Sequence, residues 1–329
     1  MSANISGRRV ADIERAPDSS VTTTPVRTAS PVVGPPPRRR LRQTLEAYAL
    51  LTPSLVGFVL FLVAPIIGVV VISFFDWNLL GSPRFVGLAN YREMMGDSEV
   101  WRSVRNTLYY VALNIPAQTI LALLLALAMN RGLRGGKVLR VLFVLPWMAM
   151  PVALGIIWSW AFDPEHGAVN QFLSLLGVSG PEWLSSTTWA MPVLASINVW
   201  QYTGYTMLFL LAGLQAIPES LYEAADIDGV TGLQRFFRIT LPLLRPSMLF
   251  VLVTNVIGSF QMFDTVYVMT QGGPNGSTDT MNFHIYQQAF QLFRTGYASA
   301  LAMLLFALIL LVTAVQFLYF RKRTVYDFS

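Results

Sequence analysis

Residues 223–242 read EAADIDGVTGLQRFFRITLP. This polar stretch separates two long apolar runs, where a chain that threads a bilayer ordinarily has only a short connection. Upstream, Pro218 ends the preceding run, and Pro218-Glu219-Ser220 offers a helix start with an acidic residue at the positive end of the helix dipole. A short helix over 221–227 is expected, closed by Asp228-Gly229, a turn in which glycine adopts positive φ at little steric cost. Phe236, Phe237, Ile239 and Leu241 then lead into the next apolar run. The Ala224-Ala225 pair permits another surface to approach the helix closely. At about 25 residues, the segment is well beyond the 2–8 usual for a helix–helix connection.

Working outward, the composition places this segment in a membrane protein. Hydrophobic residues make up 54% of the 329 and charged residues 12%, far from the balance of a soluble domain. A bilayer core needs about 20 consecutive apolar residues per helix. Charge-free runs cover 50–75, 107–130, 141–162, 183–218, 246–263 and 295–320. The fourth is too long for one crossing, so its helix is placed near 191–214. The fifth is short and is expected to continue past Asp264 to about 269. The expected fold is therefore all-α, with six transmembrane helices and both termini cytoplasmic.

The orientation follows from the basic residues. With both termini inside, eighteen of the 23 Lys and Arg fall on the cytoplasmic side, as the positive-inside rule requires. The net charge of +5 is thus mainly a topology signal, not a footprint for nucleic acid. Residues 1–42 are rich in Pro, Ser, Thr and Arg and end in a basic cluster. They read as a disordered cytoplasmic tail that grips anionic headgroups. The transmembrane domain is assigned to 43–323 and a second short tail to 324–329. No h-region precedes the basic cluster, which argues against a cleaved signal peptide. Without cysteine, disulfides, thiolate nucleophiles and Cys-based metal sites are excluded.

Proline punctuates the bundle. Pro116 in the second run, and Pro146 and Pro151 in the third, remove or disturb helix hydrogen bonds and predict kinks. Gly272-Gly273-Pro274 predicts a tight turn after the fifth span. His166 and His284 are the two histidines, isolated on separate external segments, and do not make a metal site.

Polar residues inside the runs are the candidate ligands for a hydroxyl-rich solute. In the fourth run Asn198, Gln201 and Tyr205 follow i, i+3, i+7, and Asn198, Tyr202 and Tyr205 follow i, i+4, i+7, so the four share one face. The fifth run contributes Asn255, Ser259, Gln261 and Asp264. An ionised Asp at mid-membrane costs about 2.5–3.5 kcal/mol on insertion scales, so Asp264 should face a wet cavity, a partner or the interface. Interhelical hydrogen bonding is the plainer use of such groups.

Residues 223–242 carry Glu223-Ala224-Ala225, then Gly229, Ile239 and Leu241-Pro242 at fixed spacing. In this they resemble the signature of membrane subunits of ATP-binding-cassette (ABC) importers. Thr52-Pro53, the 85–91 stretch, Leu145-Pro146, residues 211–214, the 241–246 exit and Gly272-Gly273-Pro274 look like the carbohydrate branch of these permeases, the maltose and glycerol-3-phosphate type. The resemblance runs from about residue 45 to 323. It implies that Glu223, Ala224, Ala225, Asp228 and Gly229 belong to a coupling helix docking on a separate ATPase subunit. It further implies that Asn198, Tyr202, Tyr205 and Gln261 lie at or beside substrate contacts; Gln201 joins the candidates from the shared helical face, and Asp264 has no acidic counterpart in the maltose type. The implied partners are a second permease, two ATPase subunits that bind ATP and Mg, an extracytoplasmic solute-binding protein and membrane lipid. No cofactor is expected in this chain, and the implied location is the bacterial inner membrane. A sugar is the expected solute, with glycerol-3-phosphate or a related phosphodiester as the alternative; no Arg or Lys lies within the six runs, which favours a neutral one.

Other function classes fit less well. A stand-alone secondary transporter should show inverted repeats, and none is evident. Enzymatic motifs such as HExxH and GxSxG are missing, and Gly135-Gly136-Lys137-Val138 lacks the upstream glycine and following Ser/Thr of a phosphate-binding loop.

Overall fold

The computed structural model describes residues 37–132 and 134–321. The expected tail at 1–36 and the final tail at 324–329 lie outside the described residues, whereas 37–42, assigned to the tail from sequence, are helical. Helix α1 spans Pro37–Phe58 and belongs to a compact unit of its own; the chain from Val59 onward forms the second.

The second unit begins with a π-helical turn, Val59–Val63, and α2, Ala64–Ile72. A two-residue antiparallel hairpin follows, β1 Phe75–Asp76 paired with β2 Arg84–Phe85. Then come α3, Ala89–Gly96, and α4, Ser98–Asn130, whose first turn is capped by the Asp97 carboxylate accepting from Glu99 N–H at 2.9 Å. Helices α5, Gly136–Met148, and α6, Pro151–Ala161, meet at 93°. Short α7, Ala168–Leu175, precedes the central α8, Ala190–Gln215. Beyond it lie α9, Glu219–Ile227, and α10, Gly232–Arg235, which runs through a π-turn into α11, Leu241–Leu243. The chain finishes with α12, Arg245–Phe260; α13, Asp264–Met269; α14, Met281–Tyr286; and α15, Thr295–Arg321.

Among the described residues four stretches are long and apolar enough to cross a membrane: Tyr48–Ile72, Ser98–Asn130, Arg245–Met269 and Thr295–Arg321, with the bent α5–α6 pair a fifth if it counts as one crossing. The third charge-free run is therefore not one straight span. Pro151 has no N–H to continue the ladder, and the residue before it, Met150, is held extended at φ −63°, ψ 124°. Pro116, by contrast, sits inside an unbroken α4. At 26 residues α8 is long enough to cross but more polar than the other candidate spans, because it is the most enclosed helix: fifteen of its residues are buried.

Helix α8 lies along α4 and α5. One apolar cluster joins the C-terminal halves of α4 and α8 to α12 through Ala126, Met207, Leu210, Leu214 and Val251. A second joins α3, α4, α12 and α15 around Val100, Phe260, Tyr297 and Leu301. Glycine sets the closest approach: a Cβ on Gly204 would lie 1.8 Å from the Phe143 carbonyl oxygen of α5. Small residues permit such backbone contact in lipid, where van der Waals packing replaces the hydrophobic drive between helices. An open apolar groove of about 880 Å³ runs between α4, α5 and α8, lined by Leu121, Leu142 and Trp200 among others.

Candidate functional site

A second cavity, of about 300 Å³, is polar and lies where α4, α8 and α12 converge with the α12–α13 junction. The helical face expected from sequence is present: Asn198, Gln201, Tyr202 and Tyr205 all line it. Gln261 and Asp264 line it too, for a reason the sequence does not state. Helix α12 stops at Phe260, and Gln261–Phe263 leave the helical conformation before α13 begins at Asp264. This interruption turns both side chains to the cavity. Irregular backbone at membrane depth is tolerated where it lines such a space.

The cavity wall is a cross-helix network of amides and hydroxyls. Asn114 Nδ2 donates to Ser259 Oγ at 3.0 Å, and Gln118 Nε2 donates to Thr206 Oγ1 at 2.8 Å and to Asn255 Oδ1 at 3.2 Å. Asn198 Nδ2 donates to Thr265 Oγ1 at 3.2 Å, tying α8 to α13. Three buried polar atoms of the lining are left without a protein partner: Asn114 Oδ1, Gln201 Nε2 and Asn255 Nδ2. A buried polar atom without a hydrogen bond is costly, and these three belong to residues that line the same cavity. The Tyr205 ring stacks on Trp147 at 4.5 Å between centroids and 19° between planes, leaving one aromatic face committed to α5.

Asn114 and Gln118 are members of the wall that sequence reasoning left out of the site. Asn114 lies two residues before Pro116 in the second run. The signal that could have found both is their i, i+4 spacing on one face of an otherwise apolar run. Asn255 and Ser259 were visible as polar residues of the fifth run, but their contacts across to α4 needed the fold.

Away from this cavity, α9 and α10 form a compact helix–turn–helix unit. Pro218 stands at the N-cap, and the helix starts at Glu219, two residues earlier than expected. Its C-terminus is closed by a paired arrangement: Gly229 N–H donates to Asp226 O at 3.2 Å and Val230 N–H to Ala225 O at 3.0 Å. This is the Schellman pattern, which places its C′ residue in the left-handed region, and Gly229 has φ +68°. Thr231 then starts α10 with a capping box, its hydroxyl accepting from Gln234 N–H while the Gln234 side chain accepts from Thr231 N–H. Arg235 Nη1 reaches back to Asp226 Oδ1 at 2.7 Å and lies over the Tyr222 ring, whose hydroxyl meets Thr240 Oγ1 at 3.2 Å. Ala225 is buried under these contacts, while Glu223, Ala224, Asp228 and Gly229 are exposed. Ile227 is 87% exposed and Leu221 is exposed as well, apolar side chains left uncovered on this helix.

The two histidines do not share a site. His284 is buried, with Nδ1 3.0 Å from Asp279 Oδ2, whereas His166 is an exposed loop side chain. Among the described residues no three His, Asp or Glu side chains group as a metal site.

Residues 118–325 match the family of binding-protein-dependent transport system inner membrane components. The chain belongs to this family. It is 40% identical over 278 residues to the sulfoquinovosyl glycerol transport system permease protein SmoG of Agrobacterium fabrum, covering 84% of this chain and 90% of that protein. It is 35% identical over 277 residues to the trehalose/maltose transport system permease protein MalF of Thermococcus litoralis, covering 84% and 94%. The sn-glycerol-3-phosphate permease UgpA of Brucella abortus is 35% identical over 282 residues, covering 85% and 96%. Among solved structures, a bacterial ABC transporter for import of the acidic polysaccharide alginate superposes with a TM-score of 0.76 at 24% identity, over 88% of this chain and 99% of that one. That likeness establishes the fold. The protein is a multi-pass inner-membrane permease, a transport subunit and not an enzyme.

Proposed function

We propose that this permease is one membrane subunit of an ATP-driven importer for a sugar or sugar-derived solute. The observation that carries the reading is the polar cavity: amide, hydroxyl and carboxylate side chains beside tyrosine rings match a ligand with hydroxyls around apolar ring faces. Asn198, Gln201, Tyr202, Tyr205, Gln261 and Asp264 are its proposed contacts. The relatives named for trehalose/maltose and for glycerol-3-phosphate support the same solute range.

In this reading the chain crosses the membrane six times, through Tyr48–Ile72, α4, the α5–α6 pair, α8, α12–α13 and α15, with both termini cytoplasmic. Helix α8 tolerates its polarity because neighbouring helices enclose it. Helix α9 then lies on the cytoplasmic side. Glu223, Ala224 and Ile227 form its docking face for one of two separate ATPase subunits, which bind ATP and Mg, and the Asp228-Gly229 turn sets its angle. A second permease completes the path, a solute-binding protein delivers the solute from outside, and the apolar groove is a face for membrane lipid. ATP-driven closure of the ATPases pulls on α9, and the bundle alternates between inward- and outward-facing states.

The test is uptake by vesicles holding the assembled complex and its binding protein, with a panel of labelled sugars and glycerol-3-phosphate. ATP-dependent accumulation of a panel member is expected. Nucleotide turnover by the purified chain alone, or accumulation independent of ATP, overturns the reading.

A further inference from the structure

We infer that Asp264 sets the charge class of the transported solute: the cavity takes an uncharged polyol and turns away its phosphorylated, sulfonated or carboxylated counterpart. The inference rests on the reading of the polar cavity as the solute site.

Asp264 is the only charged residue of the lining; every other polar member is an amide, a hydroxyl or a phenol, and no Arg, Lys or His is among them. The chain elsewhere gives its buried or structural carboxylates a partner. Asp76 pairs with Arg84, Asp226 with Arg235 and Asp279 with His284, and Asp97 accepts from Tyr297. Among the described residues Asp264 has no such hydrogen bond or ion pair, and its side chain is exposed to the cavity. It also lies close enough to the Tyr202 phenol to interact with it electrostatically.

The chemistry of the two solute classes then separates. A sugar hydroxyl both donates and accepts. It can donate to the exposed Asp264 carboxylate and accept from the exposed Gln261 amide beside it. A phosphate, sulfonate or carboxylate offers only acceptors and a negative charge. It would meet a carboxylate with no cation beside it, in a space where screening by water and salt is weaker than in bulk. A site built for an anion uses Arg, Lys or helix-terminal amides, and this wall supplies no cationic side chain. Asp264 stands in the first turn of α13, where the helix dipole favours a carboxylate, and its exposed side chain is open to a solute.

The experiment uses the assembled complex in nanodiscs without the binding protein, so that the binding protein's own selectivity does not filter the solutes. Trehalose and trehalose 6-phosphate are a matched pair differing by one phosphate, and equilibrium dialysis at low ionic strength gives both affinities. The wild-type complex is expected to prefer trehalose by at least about tenfold, the size of one unfavourable charge contact of about 1.4 kcal/mol. Asp264→Asn keeps the shape and removes the charge, and should reduce that preference to below about threefold. Asp264→Glu should retain it. Gln201→Ala should weaken both solutes alike and leave the ratio unchanged. An unaltered ratio in Asp264→Asn, or wild-type preference for the phosphate, overturns the inference while leaving the cavity assignment standing. Binding of both solutes that neither Gln201→Ala nor Asp264→Asn affects removes the cavity from the transport path. A wild-type complex that binds neither solute counts against the sugar reading and the inference with it.

Discussion

Gly229→Val should detach α9 from its working geometry without any steric clash. The space around this residue is open: a Cβ built there meets no atom within 4 Å. The cost is therefore all in the backbone. At φ +68° an L-residue pays about 1–2 kcal/mol relative to glycine, and a β-branched one more, because its two γ-carbons crowd the adjacent peptide. The alternative is to relax φ, which gives up the two capping bonds from Gly229 and Val230 to Asp226 and Ala225, each with a net value of about 0.5–1.5 kcal/mol. Either route costs about 2 kcal/mol, or roughly a 30-fold shift between docked and released arrangements. Helix α9 has nine residues, well under the length at which an isolated helix holds itself, so it has little reserve. The assay is solute uptake and pull-down of the ATPase from membranes carrying equal amounts of each variant. Expected activity falls in the order Gly229, Asn, Ala, Val, since asparagine tolerates the left-handed region best among L-residues. Valine with full uptake would refute the role of the turn. Asparagine as defective as valine would show that the site rejects any side chain, and that conformation is not the cause.

Three further outcomes are expected. Gly204→Ala places a methyl group where the Phe143 carbonyl now sits 1.8 Å away; α5 must move by about an ångström or more, and overpacking of this kind typically costs about 1–3 kcal/mol, seen as a lower melting temperature of the purified complex. An unchanged melting temperature would mean that α5 is not packed on α8 as described. Tyr205→Ala and Gln261→Ala should each lower uptake roughly 5- to 150-fold, the equivalent of about 1–3 kcal/mol of lost contact, with assembly and basal ATPase activity retained; normal kinetics in both would place the solute elsewhere. Deleting residues 1–36 should leave transport near normal, as their Pro-, Ser-, Thr- and Arg-rich composition predicts, and loss of ATPase stimulation would reveal a regulatory tail.

Some of this protein is written in local sequence. The helix at Glu219–Ile227 and its glycine stop follow from Pro218, the alanine pair and Gly229, because capping and backbone sterics act within a few residues. The polar face of α8 follows from helical spacing alone, and long apolar runs announce α4 and α15. Other features were settled only in three dimensions. Of the prolines at 116, 146 and 151, only Pro151 stands at a helix break, while Pro116 and Pro146 lie inside α4 and α5; whether a proline bends its helix depends on what neighbouring helices do for the freed backbone groups. Asn114 and Gln118 join the cavity through partners 145, 88 and 137 positions away, and Tyr205 gives one ring face to Trp147 of α5. Spacing along a single helix fixes which side chains share a face. Which helix that face meets, and which of its polar atoms stay unpaired, is decided by packing between segments far apart in the chain, and the cavity exists only there.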